Sequence, residues 1–93
     1  MSAPERIARA VTVRGMVQGV WFRDSCRRVA LAAGVSGWVR NEPDGSVAAV
    51  FEGAAADVEH VVEWMRKGPR RAVVEEIEVA ALEPAGLTGF VIR

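Results

Sequence analysis

One cysteine, no net charge and no long apolar run bound the sequence before any motif is read. A single Cys, Cys26, excludes an internal disulfide and cannot furnish a cysteine-based metal cage, which suits a reducing compartment. Twelve Lys and Arg stand against twelve Asp and Glu. With a formal charge of zero, no overall field gathers nucleic acid or an anionic membrane, and any anion must be recognised locally. The segment that follows Met1-Ser2-Ala3-Pro4-Glu5-Arg6 is broken by Arg9 and Arg14, so neither a signal-peptide core nor a membrane span is expected, and the cytoplasm is the expected compartment. Lysine is scarce too. Eleven of the twelve basic residues are Arg, which lowers the worth of any single Arg as a functional clue. What is plentiful is apolar: 51% of 93 residues suffices for one two-layer domain, 1–93, around one core, and is too little for two.

The apolar letters are patterned. Ile7 to Arg14 is a β-branched run with Ile7, Val11 and Val13 on one side, although Arg9 shares that face. After Gly15-Met16-Val17-Gln18-Gly19 the period changes, and Phe22, Cys26, Val29, Ala30 and Ala33 fall at helical spacing, predicting a helix from about Trp21 to Ala33 with Gly34 as its C′ residue. Ser36 to Asn41 and Ser46 to Glu52 read as strands of a hairpin closed by Glu42-Pro43-Asp44-Gly45. Val58, Val61, Val62 and Met65 mark a second helix, with Arg66 and Lys67 in its last turn and Gly68-Pro69 stopping it. Val73 to Leu82 is a strand that Glu75, Glu76 and Glu78 turn partly to solvent, and Gly89 to Arg93 is a short closing strand. The order βαββαβ predicts an α+β, ferredoxin-like sandwich: an antiparallel sheet with two helices on one face and a short extra C-terminal strand. A crossover connection makes the first two strands run the same way, so the loop after the first and the end of the second share one edge. With the third strand between them these lie about 10 Å apart, a span that an Arg side chain, a phosphate and one water can bridge.

A glycine-bracketed turn leading from a strand into a helix can aim backbone N–H groups at one point, and the helix N-terminus adds partial positive charge there. Arg23, in the first helical turn, carries a planar and permanently charged fork suited to two phosphate oxygens. On spacing alone two readings stand, since Gly-x-x-x-Gly turns also precede helices for steric reasons and a first-turn Arg is commonly a solvated one. No Lys-Ser/Thr pair follows the second glycine and no Gly-x-Gly-x-x-Gly occurs, which excludes a Walker loop and a dinucleotide fingerprint.

Gly15, Val17, Gln18, Gly19, Val20, Phe22 and Arg23 stand at the spacing of the first acylphosphatase signature, all seven specified letters being present. At average usage, about 6% per letter, seven fixed letters arise by chance with a frequency on the order of 10⁻⁹ per position. Gly37-Trp38-Val39-Arg40-Asn41, followed by Gly45, Val47 and Gly53, resembles the second signature, and weaker likeness runs through Gly68-Pro69, Ala72, Val74 and Phe90 to Arg93. The chain thus resembles the small prokaryotic-type acylphosphatases over nearly its whole length. The resemblance implies hydrolysis of acyl phosphates to carboxylate and inorganic phosphate by direct in-line water attack, without metal or other cofactor. It implies that Arg23 and the backbone amides of Gly15, Met16, Val17, Gln18, Gly19 and Val20 bind the phosphate, and that Asn41 orients the water. It also implies a monomer acting on a small molecule, with no nucleic-acid or membrane partner. Met16 departs from the pattern, since many relatives carry Arg there; an effect on phosphate affinity rather than on mechanism is expected.

The chemistry agrees with those roles. Phosphoryl transfer passes through a loose transition state and is catalysed mainly by positioning and by donors aimed at the equatorial oxygens. An Asn takes no proton at neutral pH, but it can hold a water by donating one hydrogen bond and accepting another. A carboxylate leaves readily without a general acid, and the phosphate itself is the expected base for the water. Cys26 and His60 read as a packed thiol and a structural or surface imidazole. Trp21 flanks the loop, where packing and shaping of the acyl side both stand, while Trp38 and Trp64 read as core or helix-sheet contacts. Arg66-Lys67-Gly68-Pro69-Arg70-Arg71 reads as a solvated helix end. That cluster defines the rival, a ferredoxin-like binding or regulatory module with vestigial activity. Against its RNA version, the first strand offers Val11 and Val13 where base-stacking aromatics would stand. Against a vestigial scaffold, both Arg23 and Asn41 are retained.

Overall fold

The computed structural model describes residues 5–93; Met1 to Pro4 of the N-terminal segment, where no signal core is expected, lie outside the described residues. The elements in chain order are β1 (Arg6–Met16), α1 (Phe22–Ala32), β2 (Ser36–Asn41), β3 (Val47–Ala54), α2 (Ala55–Met65), β4 (Val73–Leu82) and β5 (Phe90–Ile92). They form one sheet in the order β4-β1-β3-β2-β5. The β1–β3, β1–β4 and β2–β3 pairs are antiparallel, whereas β5 pairs parallel with β2. The sheet is therefore mixed at that one edge, where a short strand returns from the far side of the molecule. As the crossover argument requires, β3 separates β1 from β2 and those two strands run the same way.

Alternation places the core. Val11 and Val13 of β1, Val39 of β2 and Val47, Ala49 and Phe51 of β3 are paired in register on one face, and all are buried. On that face lie Phe22, Cys26 and Ala30 of α1 and Val58, Val61, Val62 and Met65 of α2. Phe51 stacks on Phe90 at 5.8 Å between ring centroids, and Phe22 meets Trp64 edge-on at 5.4 Å, which ties the start of α1 to the end of α2. Arg27 of α1 donates to the Phe90 carbonyl and fixes the short edge strand beneath the helix. Helix α1 ends as expected: Gly34 donates to the Leu31 carbonyl and Val35 to that of Ala30, the paired bonds of a Schellman motif.

Three local expectations are corrected. Helix α2 stops at Met65, so Arg66 is its C-cap and Lys67 follows it, and neither sits in the last turn. Strand β3 begins one residue later than expected and continues to Ala54, which leads straight into α2. Trp38 alternates with buried Val39 and so occupies the sheet face away from the helices, where the Arg40 and Arg93 guanidiniums lie 4.7 and 4.8 Å from its ring centroid.

The connection from β4 to β5 must cross from one sheet edge to the other. It is held by Glu52, whose carboxylate accepts hydrogen bonds from the amides of Ala85, Gly86 and Leu87 and from Arg6. Arg6 in turn donates to the Leu87 carbonyl. Because Glu52 pairs with Ala8 and Ser36, near the starts of β1 and β2, this crossing lies at the opposite end of the sheet from the loop after β1.

Candidate active site

The loop between β1 and α1 is shaped by its two ends. At the first, the register between β1 and β4 shifts at Arg14/Gly15, and Gly15 takes φ 129° so close to the Val73 carbonyl that a Cβ would overlap it. Gly15 and Met16, both expected in the phosphate seat, thus belong to the strand ladder with Val74 and Val73, and the side chain of Met16 is exposed. At the second end, Trp21 caps α1 with φ 65° and ψ 22°, the one non-glycine positive φ among the described residues. Such a conformation costs roughly 1–2 kcal/mol for a residue with a Cβ. No side chain caps the helix, and the first backbone bond of the turn runs from Ser25 N–H to the Trp21 carbonyl at 3.0 Å. Among the described residues no backbone acceptor takes the amides of Gln18, Gly19, Val20 or Trp21. These donors stand next to the positive end of α1, a combination suited to an anion.

The side chain of Gln18 faces the other way. Its Nε2 donates to the carbonyls of Glu42 and Ser46, at 2.8 and 2.9 Å, and pins the loop to the β2–β3 turn. That turn is itself closed by Asp44, which accepts from the Ser46 amide and hydroxyl; these bonds hold the Asp44 carboxyl below its usual range. A Glu42 N–H to Ser46 carbonyl bond completes it. Asn41 immediately precedes this turn, so Gln18 couples the position of Asn41 to that of the loop. The sequence pattern marks Gln18 but not this duty, because a carboxamide serves a ligand and its own backbone equally well.

Arg23 and Asn41, which the sequence reading pairs, line one concave cleft of about 330 Å³ together with Val17, Gly19, Trp21, Phe22, Asp24 and Ile92. The Val20 side chain packs partly against the core, while its amide is one of those with no backbone acceptor among the described residues. No hydrogen bond or ion pair joins Arg23 to another described residue, whereas neighbouring Asp24 is engaged by Arg28 at 2.7 Å, one helical turn on. The Oδ1 of Asn41 is buried without a hydrogen-bond partner among the described residues. An acceptor left so costs about 1–3 kcal/mol, and it is retained here beside an uncommitted cation and a row of uncommitted amides. The cleft can therefore seat a tetrahedral anion on Arg23 and the loop and present Asn41 to a small polar molecule alongside.

Other reactive side chains are remote. Cys26 is packed in the core, where burial pushes its thiol up to about 12, and His60 is exposed on α2. No group of three or more His, Cys, Asp or Glu side chains among the described residues is placed to hold a metal ion, and no described helix is long and apolar enough to cross a membrane. In the basic cluster after α2, Arg66 is paired with Glu63 at 3.0 Å in an exposed position, and Trp64 is turned to Phe22.

The chain is also similar to known proteins over most of its length. The acylphosphatase family model matches residues 9–92. The chain is 55% identical over 80 residues to an acylphosphatase of Gloeobacter violaceus, covering 86% of each protein. It is 56% identical over 85 residues to one of Rubrobacter xylanophilus, covering 89% of this chain and 76% of that relative. Among solved structures, an acylphosphatase from Coxiella burnetii superposes with a TM-score of 0.90 at 33% identity, covering 95% of this chain and 93% of that one.

Proposed function

We propose that this chain, which belongs to the acylphosphatase family and hydrolyses acyl phosphates, does so by in-line attack of water on a phosphoryl group seated on Arg23 and the loop amides, with Asn41 orienting the water. The observation that supports this assignment of roles is the cleft itself: Arg23 with no ion pair among the described residues, a loop with uncommitted amides, and Asn41 with a buried, unpartnered carboxamide oxygen all belong to its surroundings. The guanidinium fork and the amides from Val17 to Trp21 take the equatorial oxygens, whose charge grows as the loose transition state forms. The new bond joins the water oxygen to phosphorus as the bond from phosphorus to the acyl oxygen breaks. The carboxylate leaves with the bonding pair, and one water proton passes to a phosphoryl oxygen, giving inorganic phosphate. Asn41 accepts from the water through Oδ1 and so fixes its approach. Among the described residues lining the cleft there is no imidazole or thiol, and the Asp24 carboxylate is engaged by Arg28, which supports the substrate's own phosphoryl group as the base. A linear free-energy series that reveals an enzyme base of defined pKa would overturn that last step.

The same reading takes the enzyme to be a cytoplasmic monomer working without metal or other cofactor on a small acyl phosphate. The deciding experiment is hydrolysis of benzoyl phosphate by the purified protein in excess EDTA, beside the Arg23→Gln variant. Rapid, EDTA-insensitive turnover is expected, with a loss of at least about 10²- to 10³-fold in the variant and weaker inhibition by inorganic phosphate. Unchanged phosphate inhibition in Arg23→Gln would move the phosphate seat elsewhere.

A further inference from the structure

The conformation of Trp21 is at odds with its surroundings. A left-handed backbone is readily adopted by Gly or Asn and poorly by a bulky residue, and packing of the side chain is the usual compensation. Here there is little such compensation, because Trp21 is 73% exposed and takes part in neither aromatic pair found among the described residues. The backbone needs a left-handed residue at this point to turn the loop amides into the helix start, but it does not need an indole. A large apolar residue thus lines the cleft that holds Arg23 and Asn41. Ile92, 40% exposed, adds a second apolar surface to the same cleft.

The charges around it narrow what such a surface can meet. The phosphoryl end of a substrate is drawn to Arg23 and the amides, leaving the acyl group to lie along the rest of the cleft. That remainder offers Trp21 and Ile92, with the Asp24 carboxylate already engaged by Arg28, so among the described residues no cation apart from Arg23 lines it to hold an acyl group carrying its own negative charge. We propose that Trp21 is a specificity-determining residue whose indole packs against the acyl group, so that the enzyme prefers acyl phosphates with uncharged apolar, and above all aromatic, acyl groups. The inference rests on the hydrolase reading above and deepens it. The indole finds its partner only when substrate is bound, which is why it stands open in the free protein. A carboxylate leaving group of any kind satisfies the chemistry at phosphorus, so the ring acts on the choice of substrate and not on the bond-breaking step.

The test compares benzoyl phosphate with acetyl phosphate on the wild type, Trp21→Asn and Trp21→Phe. Asn tolerates the left-handed backbone and removes the ring, while Phe keeps a ring. In Trp21→Asn the ratio of kcat/KM for benzoyl over acetyl phosphate is expected to fall about threefold to tenfold, mainly through KM for benzoyl phosphate, and Trp21→Phe is expected to restore most of it. The Tm of Trp21→Asn is expected to equal or exceed that of the wild type, since strain is relieved and no packing is lost. An unchanged ratio, or equal losses on both substrates, would overturn the acyl contact while leaving the hydrolase intact. A marked fall in Tm would overturn it as well, by showing that the ring packs in the free protein. A wild type inactive on both substrates would instead sink the hydrolase reading and this inference together.

Discussion

In the proposed mechanism, removing the carboxamide of Asn41 takes a partner from the water and none from the phosphoryl group. Asn41→Ala is therefore expected to lower kcat by about 10²-fold while inhibition by inorganic phosphate stays nearly as in the wild type. A variant with normal kcat would remove Asn41 from the mechanism; one with weakened phosphate inhibition would place it in the phosphate seat. The contrast with Arg23→Gln, where turnover and phosphate inhibition are expected to fall together, separates the two proposed duties. Both residues are legible in the sequence through the two signature motifs that contain them, since on spacing alone a first-turn Arg reads equally as a solvated one. Their neighbours are less so. Letters do not record that Gln18 turns its side chain to the Glu42 and Ser46 carbonyls, nor that Gly15 stands where it does because of Val73. The left-handed φ of Trp21 is invisible for the same reason: it follows from how the loop closes, not from the preference of the residue.

The elements depend on one another at the start of α1. Gly68, just past α2, has φ 70° and lies so close to the Phe22 ring that a Cβ there would overlap it. Phe22 is fully packed, with Trp64 against its edge, so the ring cannot simply retreat, and it precedes Arg23 directly. Gly68→Ala is expected to destabilise the protein by about 2 kcal/mol or more, from the left-handed strain and the overpacking together. It is also expected to lower acyl phosphate turnover in the fraction that stays folded, because the displaced ring moves the first turn of α1. Chemical denaturation and turnover measured on the same preparation check this, and full stability would show that the contact relaxes freely. From the sequence, Gly68-Pro69 reads only as a stop signal. Periodicity is similarly one-sided elsewhere: it reproduces β4 and β2 residue for residue and finds the buried stripe of each helix, because those patterns are local. It does not distinguish which sheet face Trp38 takes, or that β5 joins β2 in parallel, because both are settled by strands distant in sequence.

Across the whole molecule, a formal charge of zero conceals one carboxylate that is almost fully buried. Nothing in Phe51-Glu52-Gly53 sets Glu52 apart from an ordinary strand position, and its role exists only because β4 and β5 lie at opposite edges of one sheet and the chain must cross between them. Burial alone would raise the Glu52 pKa. The hydrogen bonds from the Ala85 amide and Arg6, the Arg6 charge and the Leu87 amide outweigh it and hold the carboxyl below its usual 4.5. A carboxyl whose folded pKa is depressed stabilises the fold fully above its unfolded pKa, and that contribution is lost as pH falls through the folded value. Stability should thus be flat near neutrality and decline from about pH 4.5 downward, with release of the 83–89 crossing as part of the loss. The pKa of the Asp44 carboxyl is lowered as well, but the group is open to solvent, and substitution at Glu52 isolates the buried group. Glu52→Gln keeps the shape and removes the charge that Arg6 and three amides converge on. It is expected to be less stable than the wild type at pH 7, with a shallower decline in acid, so that the two stability curves converge below the folded pKa. Denaturant midpoints measured from pH 7 to pH 3 decide it: parallel curves would mean that the crossing is held by shape and neutral hydrogen bonds, and that the buried charge contributes nothing specific to closing the fold.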